Sequence, residues 1–112
     1  MHKDDEVRLR HMLDAAEEAI GFAHGRVKED LSVNRMLVLS LVKDIEIIGE
    51  AARKVSVGAQ EALPQIPWQD VIGMRHRLIH AYFDVNLDVV WKTVSDDLPM
   101  LVGVLRPILL SR

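Results

Sequence analysis

The residues that could perform chemistry are concentrated in one stretch, MRHRLIHAYFD, which runs from Met74 to Asp84. It holds two arginines, two histidines, a tyrosine and an aspartate among large apolar residues. A histidine titrates near neutral pH, so it can accept a proton and return one. An arginine can stabilise the negative charge that develops on phosphate oxygens. These residue types are together suited to cleaving RNA without a metal ion, because RNA carries its own nucleophile, the 2′-hydroxyl.

The two histidines of this stretch also raise the question of a metal site. His76 and His80 are four residues apart, a spacing that can place two ligands on one face of a helix. The zinc-protease pattern, however, has a glutamate directly after the first histidine, and here Arg77 follows it. A cationic neighbour also disfavours a metal ion. We therefore predict no metal ligand and no cofactor.

Arg75 is the unusual residue of the predicted helix that contains it. On a wheel at about 100° per residue, it lies in the middle of an apolar arc, whereas Arg77 lies on the opposite, solvated side. The arc comprises Trp68, Val71, Ile72, Leu78 and Ile79. A guanidinium cannot lose its proton to escape the cost of burial. Two interpretations remain open: a structural role, either as an ion pair with Glu46 or Glu50 or by reaching out to the edge of the bundle, or a cleft against a second subunit.

Acid–base cleavage by Arg75 and His80 meets one geometric difficulty. The two residues are five apart, so a regular helix would point them about 140° away from each other. They could converge if the helix ends or distorts near His80, or if the long Arg75 side chain reaches around the helix. They could also converge from two different subunits.

The elements that position this stretch are helical. Apolar residues recur at helical spacing along most of the chain, and no stretch alternates as a strand does. The expected helices run over residues 5–23, 34–55, 67–80 and 87–109, with a short helical turn at 59–63 and a kink at Pro99. The sequence predicts a single all-α domain over residues 1–112, an up-and-down bundle of four to five helices.

The composition excludes several classes of function and of site. Hydrophobic residues make up 49% of the chain and aromatic residues only 4%, which suits a helical core with surplus apolar surface for a dimer interface. The formal charge of −3 argues against sequence-blind nucleic-acid binding, so any RNA contact requires a local basic patch. Cysteine is absent, which excludes disulfides and thiolate metal sites. The charged start and the lack of a long apolar run predict a cytoplasmic protein without a membrane span.

The sequence resembles a known ribonuclease family. Arg75-x-x-x-x-His80 matches the R-x(4–6)-H signature of the HEPN superfamily. The longer segments IEIIGEAARK, PQIPWQDVIGMRHRLIHAYFDVN and VWKTVSDDLP resemble HepT, the toxin of the HepT–MntA toxin–antitoxin family. The resemblance covers nearly the whole chain. One departure is His76, which stands where asparagine commonly follows the motif arginine.

The resemblance implies a fold, an assembly and an activity. HEPN proteins are all-α bundles that dimerise so that two copies of the motif face one cleft, and members with the intact motif are metal-independent endoribonucleases. Carried over, Arg75 would position or stabilise the scissile phosphate and His80 would act as acid or base. His76 and Arg77 would be candidate substrate-binding residues in the same cleft.

The resemblance also implies regulation. HepT proteins extend the motif to R-x-x-x-x-H-x-Y, and Tyr82 matches the tyrosine. In a type VII-like toxin–antitoxin pair, an MntA-type nucleotidyltransferase antitoxin would transfer AMP onto Tyr82 and silence the ribonuclease. The alternative is that the chain is a non-catalytic binding or regulatory subunit of a minimal nucleotidyltransferase. Under that alternative, His80→Ala would leave every activity unchanged.

Overall fold

A computed structural model describes residues 1–81 and 84–111, except for the side chains of residues 80 and 81. The described α-helices are α1 (Lys3–Ala23), α2 (Arg35–Lys54), α3 (Val57–Ala62), α4 (Trp68–Ile72), α5 (Met74–Leu78), α6 (Leu87–Lys92) and α7 (Leu98–Leu110), and a 3-10 helix covers Lys28–Ser32. Two short strands, β1 (Ile79–Ala81) and β2 (Asp84–Val85), lie between α5 and α6. The predicted all-α class is confirmed. Within the described ranges, no helix is long and apolar enough to cross a membrane.

The long helices α1 and α2 form the frame of the bundle. Asn34 caps α2 through its Oδ1, which accepts the Leu37 N–H at 3.0 Å. Gly25, just after α1, adopts a φ of 76°, which a residue with a side chain rarely adopts. Asp5 near the start of α1 accepts hydrogen bonds from the N–H and the hydroxyl of Ser56 beyond the end of α2, at 2.8 and 2.7 Å. The two helices are therefore antiparallel neighbours.

The hydrophobic core lies between α1, α2 and α7, with α4, α5 and α6 closing one side. Its largest fully buried side chains are aliphatic, as the low aromatic content requires. Among them are Leu9, Met12, Leu41, Ile45, Ile48, Leu98, Leu101 and Leu105. Each fully buried side chain of this size contributes on the order of 2 kcal/mol relative to an exposed one.

The third helix is not continuous, contrary to the prediction for residues 67–80. It pauses at Gly73, whose φ of −88° and ψ of 0° are typical of a turn, and it ends at Leu78. Ile79 is extended and pairs with Val85 in an antiparallel hairpin. The Asn86 N–H donates to the Leu78 carbonyl at 2.7 Å, which satisfies a group that a continuing helix would have used. Period-3.6 spacing continues through this region, so the pattern alone did not reveal the break.

The fourth helical segment departs from regular α geometry before Pro99. Residues Thr93–Asp97 form a π turn between α6 and α7, and Pro99 lies in the first turn of α7. A proline has no N–H to donate and its ring crowds the preceding turn, so a change of register just before it relieves both problems. The irregularity predicted at Pro99 therefore takes the form of a π turn.

Candidate functional site

Arg75 lies on α5, and its side chain is exposed rather than buried. The side chain is 48% accessible, and its Nε donates to Oε2 of Glu46 on α2 at 3.1 Å. The expectation that this guanidinium sits within an apolar face is therefore wrong for the single chain. The wheel assumed one unbroken helix, whereas α5 spans only five residues and follows a pause at Gly73.

The ion pair with Glu46 is one of the two interpretations that the sequence left open. Glu50, the other named candidate, instead pairs with Arg53 at 2.7 Å. Lys43 Nζ also lies 3.7 Å from Glu46 Oε1, so Glu46 stands between two cations. Exposed pairs of this kind contribute less than about 1 kcal/mol to stability. The contribution of this ion pair to stability is therefore too small to explain why position 75 is an arginine.

Arg77 is held on the opposite side of α5. Its Nη2 donates to the Asp70 carbonyl at 3.2 Å, and its Nη1 lies 3.7 Å from the Asp70 carboxylate. These contacts fasten α5 to α4 across the pause at Gly73. Arg77 is nonetheless half exposed, so its charge remains accessible to a ligand.

The two histidines do not share a helix face. His76 is exposed on α5, whereas His80 belongs to β1, beyond the end of the helix. The spacing that would let them hold one metal ion therefore does not apply. The described residues include no cluster of three or more histidine, aspartate or glutamate side chains arranged to bind a metal. The side chain of His80 and the whole of Tyr82 lie outside the described residues.

The end of α5 bears directly on how Arg75 and His80 could act together. A regular helix would separate them by about 140°, but the helix stops at Leu78, three residues after Arg75 and two before His80. Leu78 is fully buried and its carbonyl accepts the Asn86 N–H, so the position of this helix end is fixed by packing and by the hairpin. The first condition that the sequence set for convergence, a helix ending near His80, is met.

The sequence did not identify two charged residues of α2: Lys43, which lies beside the Glu46 partner of Arg75, and Asp44, which is buried against α1. Lys43 shares Glu46 with Arg75, and the i,i+3 spacing of Lys43 and Glu46 on an exposed helix face could have indicated it. Asp44 is only 2% exposed. Its position three residues after Leu41 and four before Ile48, on the apolar stripe of α2, was the signal for its burial.

Residues 12–108 match the family model described as "Ribonuclease HepT-like". A protein named "Probable ribonuclease HepT" from Thermococcus cleftensis is 35% identical over 102 residues, 91% of this chain and 90% of the relative. "Putative RNase MJ1380" from Methanocaldococcus jannaschii is 32% identical over 97 residues, 87% of this chain and 89% of the relative. No solved structure matches the chain significantly.

Proposed function

The chain belongs to the HepT-like ribonuclease family, and from this we propose that it is a metal-independent endoribonuclease that cuts RNA with Arg75 and His80. One structural observation supports this proposal most strongly. The helix that carries Arg75 ends at Leu78, so His80 is not held at the unfavourable angle that a continuous helix would impose. The guanidinium of Arg75 is also accessible, as a phosphate-binding group must be.

The proposed chemistry uses the two side chains in different roles. The 2′-hydroxyl of the RNA attacks the adjacent phosphorus, and the bond from phosphorus to the 5′-oxygen breaks. A base takes the proton of the 2′-hydroxyl, and an acid gives a proton to the leaving oxygen; His80 supplies one of these functions. Arg75 stabilises the charge on the phosphate oxygens in the transition state. His76 and Arg77, both exposed on α5, are proposed to bind the flanking RNA.

We place this site at a homodimer cleft. One chain supplies a single Arg75 and a single His80, whereas two chains facing each other supply the acid, the base and two guanidiniums. Arg75, His76 and Arg77 from each subunit, together with Lys43 beside Glu46, would make such a cleft locally cationic although the chain carries a formal charge of −3. A cationic cleft attracts RNA through its phosphates.

We further propose that the protein acts in the cytoplasm as the toxin of a type VII-like toxin–antitoxin pair. An MntA-type nucleotidyltransferase antitoxin would add AMP to Tyr82, the only tyrosine in the chain. The added phosphate would lie two residues from His80 and would oppose RNA through its bulk and its negative charge. Inhibition would then need no change in the fold.

The proposal is tested by RNA cleavage in excess EDTA. We expect the wild-type chain to cleave RNA, and His80→Ala to lose at least about a hundredfold in rate, since acid–base groups contribute about 10²–10⁴-fold. His24→Ala, which removes an exposed histidine at the end of α1, is the matched control and should cleave like wild type.

Three other outcomes would contradict parts of the proposal. Equal cleavage by wild type and His80→Ala would mean a contaminant or a different site. Cleavage that EDTA abolishes would show a metal requirement. No cleavage of tRNA or mRNA by any variant, with Tyr82 unmodified by mass spectrometry, would favour the alternative of a non-catalytic nucleotidyltransferase subunit.

A further inference from the structure

The exposed side of the α1–α2 pair carries a groove with opposite charges at its two ends. Two adjoining depressions of about 160 and 230 Å³ share His11 and Ile47, which mark the middle of the groove. The first is lined at its edges by Arg8, Lys43 and Lys54, and we call it the basic end. The second is lined by Asp14, Glu18 and Asp44, and we call it the acidic end.

The charges at the basic end are not cancelled within the chain. The two carboxylates that also line it are already engaged, Glu46 with Arg75 and Glu50 with Arg53. Arg8 and Lys54 have no ion pair within the described part of the chain. The basic end therefore offers two cations to a partner.

The acidic end contains an unsatisfied buried group. Asp44 is 2% exposed and lines the depression beside the Glu18 carboxyl, and no group among the described residues donates a hydrogen bond to its Oδ2. Leaving a buried carboxylate oxygen without a donor is costly, so such an atom indicates a missing partner. Glu18 and Asp14 line the same end and add negative charge. The chemistry that suits this end is a guanidinium or an ammonium group.

A second copy related by a two-fold axis would pair the charges at both ends of the groove at once. A surface with a cation at one end and an anion at the other is complementary to itself when a second copy is rotated by half a turn. We infer that a second copy of this chain docks on the groove about an axis near His11 and Ile47, with Arg8 and Lys54 of each copy on Asp44 and Glu18 of the other. This inference rests on the proposed homodimer and specifies its interface.

The surrounding surface suits such an interface. Apolar side chains are exposed on the outward stripes of both helices, at spacings of three and four residues from the groove residues. They are Val7 and Phe22 on α1 and Leu39 on α2, and Ile47 within the groove is itself exposed. Glu46 lines the basic end and also holds Arg75. The interface is thus continuous with the proposed catalytic cleft, as a shared site between two copies requires.

Dimerisation through this groove should depend on pH. In the single chain, burial raises the pKa of Asp44 to about 7, and the neighbouring Glu18 carboxyl acts in the same direction. A docked cation favours the ionised form, so docking releases a proton from each Asp44 and the dimer becomes tighter as pH rises. If the docked carboxyl stays ionised, the association constant of the dimer rises between pH 6 and pH 8. The rise is about tenfold for each Asp44 and at most about a hundredfold for the dimer. The other titratable groups that line this end are His11, Asp14 and Glu18, with Lys43 adjacent on α2.

Charge reversal tests the pairing directly. The dimer dissociation constant is measured by sedimentation equilibrium for Arg8→Glu, for Glu18→Lys and for the double variant. We expect each single reversal to weaken the dimer by at least about tenfold, and the double variant to recover most of the loss because each copy again presents opposite charges to the other. Arg26→Glu, an exposed arginine outside the groove, is the control and should not change dimerisation.

The failures of this inference and of the proposed function are distinguishable. A monomeric wild-type chain, single reversals without effect or a double variant without recovery would overturn the inferred interface. If His80-dependent RNA cleavage persists in such samples, the ribonuclease proposal stands and only the interface is wrong. If the charge swap succeeds and no RNA is cut, the interface stands without the activity. Asp44→Asn is also compared with wild type in a His11→Gln background. If the pH dependence of dimerisation is the same with and without Asp44, then Asp44 does not belong to the interface.

Discussion

Asp44→Asn should stabilise the single chain at alkaline pH, because the native protein holds this carboxyl in an unfavourable place. Asp44 lies on the buried side of α2 and is 2% exposed. Burial, reinforced by the adjacent Glu18 carboxyl, raises its pKa from 3.8 to about 7 in the folded chain. The folded state therefore keeps a proton that the unfolded chain has already released between about pH 4 and pH 7.

The sign and the size of the effect follow from this difference. Where the folded state binds more protons than the unfolded state, the free energy of unfolding falls as pH rises, by about 1.4 kcal/mol per pH unit. The window from 3.8 to about 7 is 3.2 units wide. The contribution of Asp44 thus falls by at most about 4 kcal/mol across this window and is constant above it. This is a large share of a typical domain stability of about 5–15 kcal/mol.

The assay is urea unfolding followed by circular dichroism at pH 4.5, 6, 7 and 8, at concentrations where sedimentation shows monomers. The difference between wild type and Asp44→Asn isolates Asp44 from every other titrating group. We expect this difference to be about 1 kcal/mol at pH 4.5 and to favour the variant by about 2–4 kcal/mol at pH 8. Asp14→Asn, an exposed carboxylate of the same groove, is the matched control. A difference that does not change with pH, or a variant less stable than wild type at pH 8, would refute the reasoning.

Two further predictions concern the other charged contacts. Glu46→Gln should change the free energy of unfolding by less than about 1 kcal/mol, because the ion pair is exposed. In a His80→Ala background, which does not cut RNA, the same change should tighten RNA binding, because the RNA phosphate no longer competes with the Glu46 carboxylate for Arg75. Fluorescence anisotropy with a labelled RNA measures this, and unchanged or weaker binding would mean that Arg75 does not contact phosphate. The hydrogen bonds from the N–H and hydroxyl of Ser56 lower the pKa of Asp5, so Asp5→Asn should cost about 2 kcal/mol at pH 7. The loss of stability caused by Asp5→Asn should shrink as the pH falls below 3.8 and through the lowered pKa of Asp5 in the folded chain. Thermal unfolding that gives the same loss at pH 7 and at pH 3 would contradict this.

Where a helix boundary depended on a local signal, the sequence was sufficient. The predicted range 34–55 for the second helix encloses the observed Arg35–Lys54, with Asn34 and Val55 as its caps. The start of this helix depends on a local contact, because the Asn34 side chain accepts from a helix N–H only three residues away. The all-α class likewise followed from apolar residues at helical spacing. The motif residues Arg75 and His80 could be chosen as site candidates on chemistry and resemblance alone.

Where a boundary depended on distant residues, periodicity was not sufficient. The third helix ends at Leu78 because the Leu78 carbonyl is taken by Asn86 and because Ile79 pairs with Val85, eight and six residues further along the chain. Nothing in the spacing of apolar residues marks that end. The relation of Arg75 to His80, on which the proposed chemistry depends, was therefore decided by the hairpin.

Exposure depends in the same way on what covers each helix face. Arg75 lies within an apolar arc of the sequence but is 48% exposed, whereas Asp44 is charged but 2% exposed. A helical pattern indicates which residues share a face, and a capping side chain indicates where a helix can begin. Whether a given face meets solvent, another helix or a strand is determined by the packing of the whole chain. Only the tertiary structure therefore placed the arginine outside the core and showed that the stripe bearing the aspartate is covered.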